Sequence, residues 1–212
     1  MTKRYYFLIR YTPANADYGL LAGRCISQMH LFMVNNRQAM NKIGVSFPDW
    51  SDVTVGQTIA FVAEDKEIMV GLSFQPYFSV MVNEGLFEIS SVCKVPDTAI
   101  EVRFTRNQTI GKSFLGSKKR RIKRSMARAE LSGAEPSLPV TNEERVIDSF
   151  HRIPISSASS GEGYMLFVQK EFVGERGAAN FNSYGLATNQ ERKGTVPELR
   201  VCPFFDSPFL EI

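Results

Sequence analysis

The chain has 212 residues, of which 43% are hydrophobic and 22% charged, and its net charge is +3 at pH 7. This composition is typical of a globular protein with one large or two small domains. The first apolar run, residues 5–9, is too short for a signal-peptide core or a membrane span. Three widely spaced cysteines predict neither a disulfide framework nor a zinc site and favour a reducing cytoplasm as the location: Cys25, Cys93 and Cys202.

The first half of the chain predicts the element order βαββαβ, which is that of ferredoxin-like and RNA-recognition domains. Helical spacing of apolar residues and short β-branched, aromatic runs support this order. The predicted elements are a strand over 4–11, a helix from Asp17 to Arg37, strands over 43–47 and 58–62, a helix over 65–78 and a strand over 86–95. They form a predicted first domain over residues 1–97.

The second half, residues 98–212, predicts a second α+β domain, which is where any bound nucleic acid is expected to lie. Its predicted elements are a strand over 101–105, a basic helix, a loop over 132–144, a small-residue loop over 156–161 and a strand over 164–168. The predicted fold class of the whole chain is therefore α+β.

Positive charge is concentrated in residues 118–128, which carry seven lysines and arginines and no acidic residue. On a helical wheel four arginines occupy or flank an arc of about 80°: Arg120, Arg121, Arg124 and Arg128. The apolar side chains gather opposite: Ile122, Met126 and Ala129. We therefore expect one face to pack and the other to bind nucleic-acid phosphates, with affinity that falls steeply with salt. A solvated helix face or a localisation signal is the alternative.

Only two histidines are present, which narrows the search for a general base. His30 lies at the border of the apolar stripe of the first predicted helix, where imidazole could exchange protons near neutral pH. Position alone favours a structural role for it, and His151 has no placement argument. The hydroxyl-rich loop over 156–161 could hold a phosphate or ribose. No nucleotide-binding, hydrolase or metalloprotease motif is present, so we expect no metal or cofactor.

This inventory suits a reaction in which RNA supplies its own nucleophile, the 2′-hydroxyl, and the protein positions it and removes its proton. The chain resembles the CRISPR repeat-processing endoribonucleases of the subtype I-F kind. The most specific match is Ile-Gly-Val-Ser-Phe-Pro at 43–48. Further motifs follow in family order: His30, Arg-Asn-Gln at 106–108 before the basic helix, Ser-Ala-Ser-Ser-Gly at 157–161 and Phe-Asn-Ser-Tyr-Gly-Leu at 181–186.

The resemblance implies that the arginine-rich helix docks in the major groove of the repeat RNA hairpin. It implies metal-independent cleavage of pre-crRNA at the 3′ base of the hairpin, which leaves a 5′-hydroxyl and a 2′,3′-cyclic phosphate. The enzyme would then stay bound to the mature crRNA, within a surveillance complex that contains backbone subunits.

The resemblance also assigns roles to residues. His30 is the expected general base, Ser157 fixes the reacting ribose, Tyr184 orients the histidine, and Ser159 belongs to the same catalytic loop. Tyr164 matches an aromatic residue that stacks on the base beside the cut. Arg106 and Gln108 match residues that read base edges. The cations expected to anchor the RNA backbone are Lys119, Arg120, Arg121, Lys123, Arg124 and Arg128.

Two other interpretations remain open at this point. The protein could be an RNA-binding subunit that holds a processed hairpin without cutting it. It could also be a DNA-binding regulator that uses the same basic helix, although no helix-turn-helix spacing or dimerisation heptad supports this.

Overall fold

The computed structural model describes residues 2–133, 135, 148–156 and 163–199. The first half of the chain builds an antiparallel sheet in the order β2-β3-β1-β4, and β5 also pairs with β1. Its elements are β1 (Tyr5–Tyr11), α1 (Tyr18–Asn35), β2 (Gly44–Ser46), β3 (Thr58–Ala63), α2 (Lys66–Ser73), α3 (Pro76–Asn83), β4 (Phe87–Ile89) and β5 (Cys93–Lys94).

The second half builds another sheet in the order β10-β6-β8-β7, and β9 pairs with β6 in parallel. Its elements are β6 (Glu101–Arg106), α4 (Thr109–Ser113), α5 (Leu115–Ser132), β7 (His151–Ser156), β8 (Gly163–Val173), β9 (Ala187–Thr188) and β10 (Val196–Pro197). One cluster of buried apolar side chains spans both sheets. Phe47 of the first half, for example, meets Phe104 of β6 edge to face, with ring centroids 5.1 Å apart.

The structure confirms the α+β class, whereas the ferredoxin-like assignment and the domain boundary after residue 97 stay predictions. The single helix predicted over 65–78 is wrong. Two helices occupy this stretch, because Pro76 lacks a backbone N–H and suits the first position of a new helix. The single strand predicted over 86–95 is also wrong. Strands β4 and β5 both pair with β1, and Ser90 lies between them. The Ser90 hydroxyl accepts from the backbone N of Leu8 in β1, 2.9 Å away, where a regular ladder would use a backbone carbonyl.

Strand β7 was not predicted from the sequence, because a proline inside a strand removes a hydrogen-bond donor from the ladder. Pro154 lies in the middle of β7. Among the described strands of that sheet, β7 is at the edge and pairs only with β8, so the missing donor is tolerated. Strand β8 is longer than predicted, and the small strands β9 and β10 were missed. The predicted loop over 132–144 falls mostly outside the described residues.

The backbone of helix α1 lies directly against the backbone of β7, and two glycines make this close approach possible. Gly19 and Gly23 lie one turn apart and face Arg152 and Pro154, which are two residues apart on β7. A Cβ atom on Gly23 would lie 1.9 Å from the carbonyl oxygen of Pro154. Helix and strand therefore run side by side in the same direction, and residues beyond Gly23 on α1 lead toward the Ser156 end of β7.

We expect Gly23→Ala to lower the free energy of unfolding by about 2 kcal/mol, because the added methyl group would overlap backbone that cannot move aside cheaply. Alanine normally stabilises a helix interior relative to glycine by up to about 1 kcal/mol. Gly71→Ala in α2 is the matched control, since a Cβ there would lie an ordinary 3.5 Å from the Phe32 ring. Urea denaturation of both variants measures the difference. Equal stabilisation of the two would contradict the close contact.

Candidate active site

His30 lies on α1, half-buried beside the buried side chains of Ile26, Met29 and Met33. This is the border position that the sequence predicted. Its Nδ1 atom is 2.9 Å from the backbone carbonyl oxygen of Ser183. A carbonyl oxygen only accepts, so Nδ1 carries the hydrogen and donates it. In the neutral imidazole the lone pair is then on Nε2, which is the nitrogen able to take up a proton.

Tyr184 follows Ser183 and packs on the histidine, with the two ring centroids 5.1 Å apart. The chain can turn sharply here because Gly185 adopts a left-handed backbone conformation, with φ of +71°. The Gly185 carbonyl accepts from the backbone N of Val45, at 2.9 Å. The turn that carries Tyr184 is therefore attached to β2.

Tyr164 and Arg106 continue the contacts on the other side of Tyr184. The Tyr164 ring meets the Tyr184 ring edge to face at 5.9 Å between centroids, and the Arg106 guanidinium carbon lies 5.6 Å from the Tyr184 ring centroid. Burial, followed by a side-chain hydrogen bond to Tyr184, raises the pKa of Tyr164. The Tyr164 hydroxyl therefore stays protonated at neutral pH.

Gln108 holds one edge of the Arg106 guanidinium. With its amide turned so that the oxygen faces the arginine, Gln108 accepts from Nη2 at 2.7 Å and from Nε at 2.8 Å. The structure thus brings five residues from the sequence prediction into one continuous group, which we call the site row: His30, Tyr184, Tyr164, Arg106 and Gln108.

Ser157 and Ser159 lie outside the described residues, in the connection between β7 and β8. The residues that flank this connection pair with each other, Ser156 opposite Gly163, and the next pair is Ile155 opposite Tyr164. The connection therefore leaves and re-enters the described part of the chain next to Tyr164, the middle member of the site row.

The side chains of the predicted phosphate-binding cations on α5 are exposed: Lys119, Arg120, Arg121, Lys123, Arg124 and Arg128. The expectation that its apolar face packs is wrong for Met126, which is 51% exposed. Within the described ranges, the main neighbour of α5 is α4. These six cations are therefore accessible to a ligand.

An aromatic cluster that sequence reasoning missed holds the start of α5. Phe114, at the α4–α5 junction, lies 5.7 Å from Phe167 of β8 and 6.4 Å from Phe150, measured between ring centroids. The Arg152 guanidinium carbon lies 4.8 Å from the Phe114 ring centroid. The clue in the sequence was the apolar pair Phe114-Leu115 placed between polar and basic residues.

The motif at 43–48 contains β2 and contacts the segment that carries the Tyr184 turn. A Cβ on Gly44 would lie 2.6 Å from ring carbon Cζ of Phe181, so only glycine admits this ring beside β2. The Ser46 hydroxyl donates to the carbonyl oxygen of Pro197, at 3.3 Å. The motif thus packs β2 against Phe181, which precedes the Tyr184 turn, and bonds it to Pro197 of β10.

The described residues contain no group of three or more His, Cys, Asp or Glu side chains placed to hold a metal ion. Over the same residues, none of the helices combines the length and apolar character that crossing a membrane requires.

The family model described as CRISPR-associated protein (Cas_Csy4) matches residues 6–199, so the chain is a CRISPR-associated protein. The chain therefore belongs to the Csy4 family, whose members are endoribonucleases that process CRISPR repeat RNA. No curated protein matches the chain.

Proposed function

We propose that the protein binds the hairpin of its CRISPR repeat and cuts pre-crRNA at the 3′ base of the hairpin without a metal ion. The observation that carries the proposal is the bond from His30 Nδ1 to the Ser183 carbonyl, 2.9 Å long, in a chain of a repeat-processing family. This bond leaves Nε2 as the proton acceptor.

In the proposed reaction Nε2 of His30 takes the proton of the ribose 2′-hydroxyl at the cut site. The 2′-oxygen attacks the neighbouring phosphorus, and the bond from phosphorus to the 5′-oxygen breaks. The leaving oxygen takes a proton from solvent, so the products are a 2′,3′-cyclic phosphate and a 5′-hydroxyl. Ser157 and Ser159 are proposed to hold the reacting ribose, and Tyr184 fixes the plane of the imidazole ring.

Base recognition is proposed for the opposite end of the site row. Gln108 occupies the Nε and Nη2 edge of Arg106, and Nη1 has no partner within the described residues. The Nη1 and Nη2 ends together can still donate two parallel hydrogen bonds to a guanine edge, which is the commonest base-specific contact an arginine makes. Tyr164 is proposed to stack on the base beside the cut.

The proposed division of labour follows the proposed domains. Residues 1–97 supply His30, and residues 98–212 supply the other members of the site row together with α5. After cleavage we propose that the protein keeps hold of the mature crRNA hairpin and joins the backbone subunits of a surveillance complex.

We expect the double variant Arg120→Ala, Arg124→Ala to bind the repeat hairpin more weakly. The slope of log affinity against log salt concentration should become less steep by about one to two, because each lost phosphate contact removes close to one released counterion. Filter binding across a series of salt concentrations measures the slope. The double variant Arg37→Ala, Lys66→Ala removes the same charge from exposed positions in the first half. Equal loss in both would mean that net charge, and not α5, determines the affinity.

A repeat hairpin whose cut-site 2′-hydroxyl is replaced by hydrogen tests the proposed function. Incubated with the protein in chelator, the all-ribose hairpin should yield a cyclic phosphate, and the deoxy hairpin should bind and remain uncut. A hairpin with the same replacement one nucleotide downstream is the control and should be cut. Binding without any cleavage of the all-ribose hairpin would instead favour the non-cleaving subunit.

A further inference from the structure

We infer that Asn182 is a positioning residue that determines which nitrogen of His30 acts as the base. The inference rests on the proposed function, and it concerns a residue of the 181–186 motif to which the resemblance assigns no role. Asn182 does not touch the histidine. It acts through the peptide group that the histidine contacts.

The side chain of Asn182 is 9% exposed, and its Oδ1 atom accepts two backbone hydrogen bonds. The donors are the backbone N of Tyr184, at 2.8 Å, and of Leu186, at 3.2 Å. Two main-chain bonds close the same turn: Gly185 N donates to the Asn182 carbonyl at 3.0 Å, and Asn182 N donates to the Leu186 carbonyl at 2.8 Å. One side-chain oxygen thus accepts two of the four hydrogen bonds that hold the turn.

The N–H of Tyr184 and the carbonyl of Ser183 belong to one peptide group. A trans peptide is planar, and its N–H and C=O point in opposite directions. Asn182 Oδ1 therefore holds one end of this peptide group, and His30 Nδ1 binds the other. The three groups form a hydrogen-bonded chain in which each bond polarises the next. Loss of the asparagine oxygen frees the peptide to rotate and removes the reason for Nδ1 to keep the hydrogen.

The turn has little room to take another shape. Its Gly185 carbonyl is bonded to β2, and a Cβ on Gly185 would lie 2.6 Å from Cγ2 of Val45. At its other end, the backbone N of Phe181 donates to the Asn41 carbonyl at 3.1 Å. With both ends anchored, the orientation of the Ser183 carbonyl depends on the bonds inside the turn, and Asn182 provides those from a side chain.

The amide nitrogen of Asn182 is buried and has no partner within the described residues. Only the oxygen is in use, so aspartate keeps the working atom whereas leucine keeps the volume and loses it. Asn182→Leu and Asn182→Asp therefore separate hydrogen bonding from packing. Asn180→Leu, at an exposed position in the same segment, is the matched control, and Asn182→Ala replaces the leucine variant if that chain does not fold.

The test uses protein labelled with ¹⁵N at its two histidines, with His30→Ala to assign the signals. In the wild type and in Asn182→Asp, long-range ¹H–¹⁵N correlation should show His30 with its hydrogen on Nδ1. In Asn182→Leu the Nε2–H form should appear, and single-turnover cleavage of the hairpin should slow by about 10- to 100-fold with little change in hairpin affinity.

The inference is wrong if Asn182→Leu keeps the wild-type tautomer and cutting rate, or if Asn182→Asp loses both while remaining folded. A wild type that shows the Nδ1–H form but does not cut the hairpin would contradict the proposed function and not the inference. The loss of that form in Asn182→Leu would still establish the positioning role in that case.

Discussion

Replacement of His30 by alanine is expected to slow single-turnover cleavage of the repeat hairpin by about 100- to 10,000-fold, the range that a positioned general base contributes. Hairpin affinity should change by no more than about two-fold, because the proposed role of the imidazole is confined to the transition state and the proposed phosphate contacts belong to α5. Rapid-quench cleavage in chelator, together with filter binding, separates the two effects.

The other histidine provides the control for this prediction. His151 Nε2 lies 2.7 Å from the Ser51 carbonyl, and its ring contacts Trp50 at 4.4 Å between centroids. These contacts are structural, so His151→Ala should lower thermal stability and leave the cutting rate of the folded protein close to that of the wild type. Undiminished cleavage by His30→Ala in chelator would show that another group takes the proton.

Glu101→Ala is expected to lower the free energy of unfolding by about 3–5 kcal/mol, because it leaves a buried guanidinium without its partner. Arg4 and Glu101 are each 8% exposed and form a two-point ion pair, in which Arg4 Nη1 lies 3.0 Å from Glu101 Oε2. The hydroxyl of Thr195 donates to the same carboxylate oxygen at 2.7 Å. Arg4 precedes β1 and Glu101 begins β6, so the pair ties the two sheets together.

Denaturant titration of Glu101→Ala and of Glu88→Ala provides the comparison. Glu88 pairs with Arg10 at 2.6 Å, but the two side chains are 47% and 26% exposed, and such a pair contributes about 0–1 kcal/mol. Replacement of both buried partners, as Arg4→Met with Glu101→Leu, should recover much of the lost stability, since no unpaired charge remains. Similar losses in the two single variants would contradict this account.

The sequence predicted helix α1 well because its signals are local. Asp17 caps the first turn by accepting from the backbone N of Leu20 at 2.9 Å, and the apolar spacing follows directly. The same spacing placed His30 at the border of the core. The motifs named the other members of the site row because each is a side chain in a recognisable string of residues.

The remaining features depend on contacts between distant segments or on backbone atoms. The partner of His30 is the Ser183 carbonyl, a group that every residue possesses, so no residue type marks it. The edge position of β7 becomes known only when the sheet is assembled, and without it Pro154 argues against a strand. Met126 could not be judged from a helical wheel, because a wheel shows which side chains share a face and not whether anything covers it.

The contact between α1 and β7 determines how far the spacing of these two elements depends on the side chains around them. Gly23 brings helix and strand together through main-chain atoms, so the spacing between them is set by van der Waals contact of the backbones and not by the sizes of neighbouring side chains. We therefore expect volume changes among the neighbouring apolar side chains to leave the distance between α1 and β7 nearly unchanged, and with it the position of His30 relative to β7 and β8.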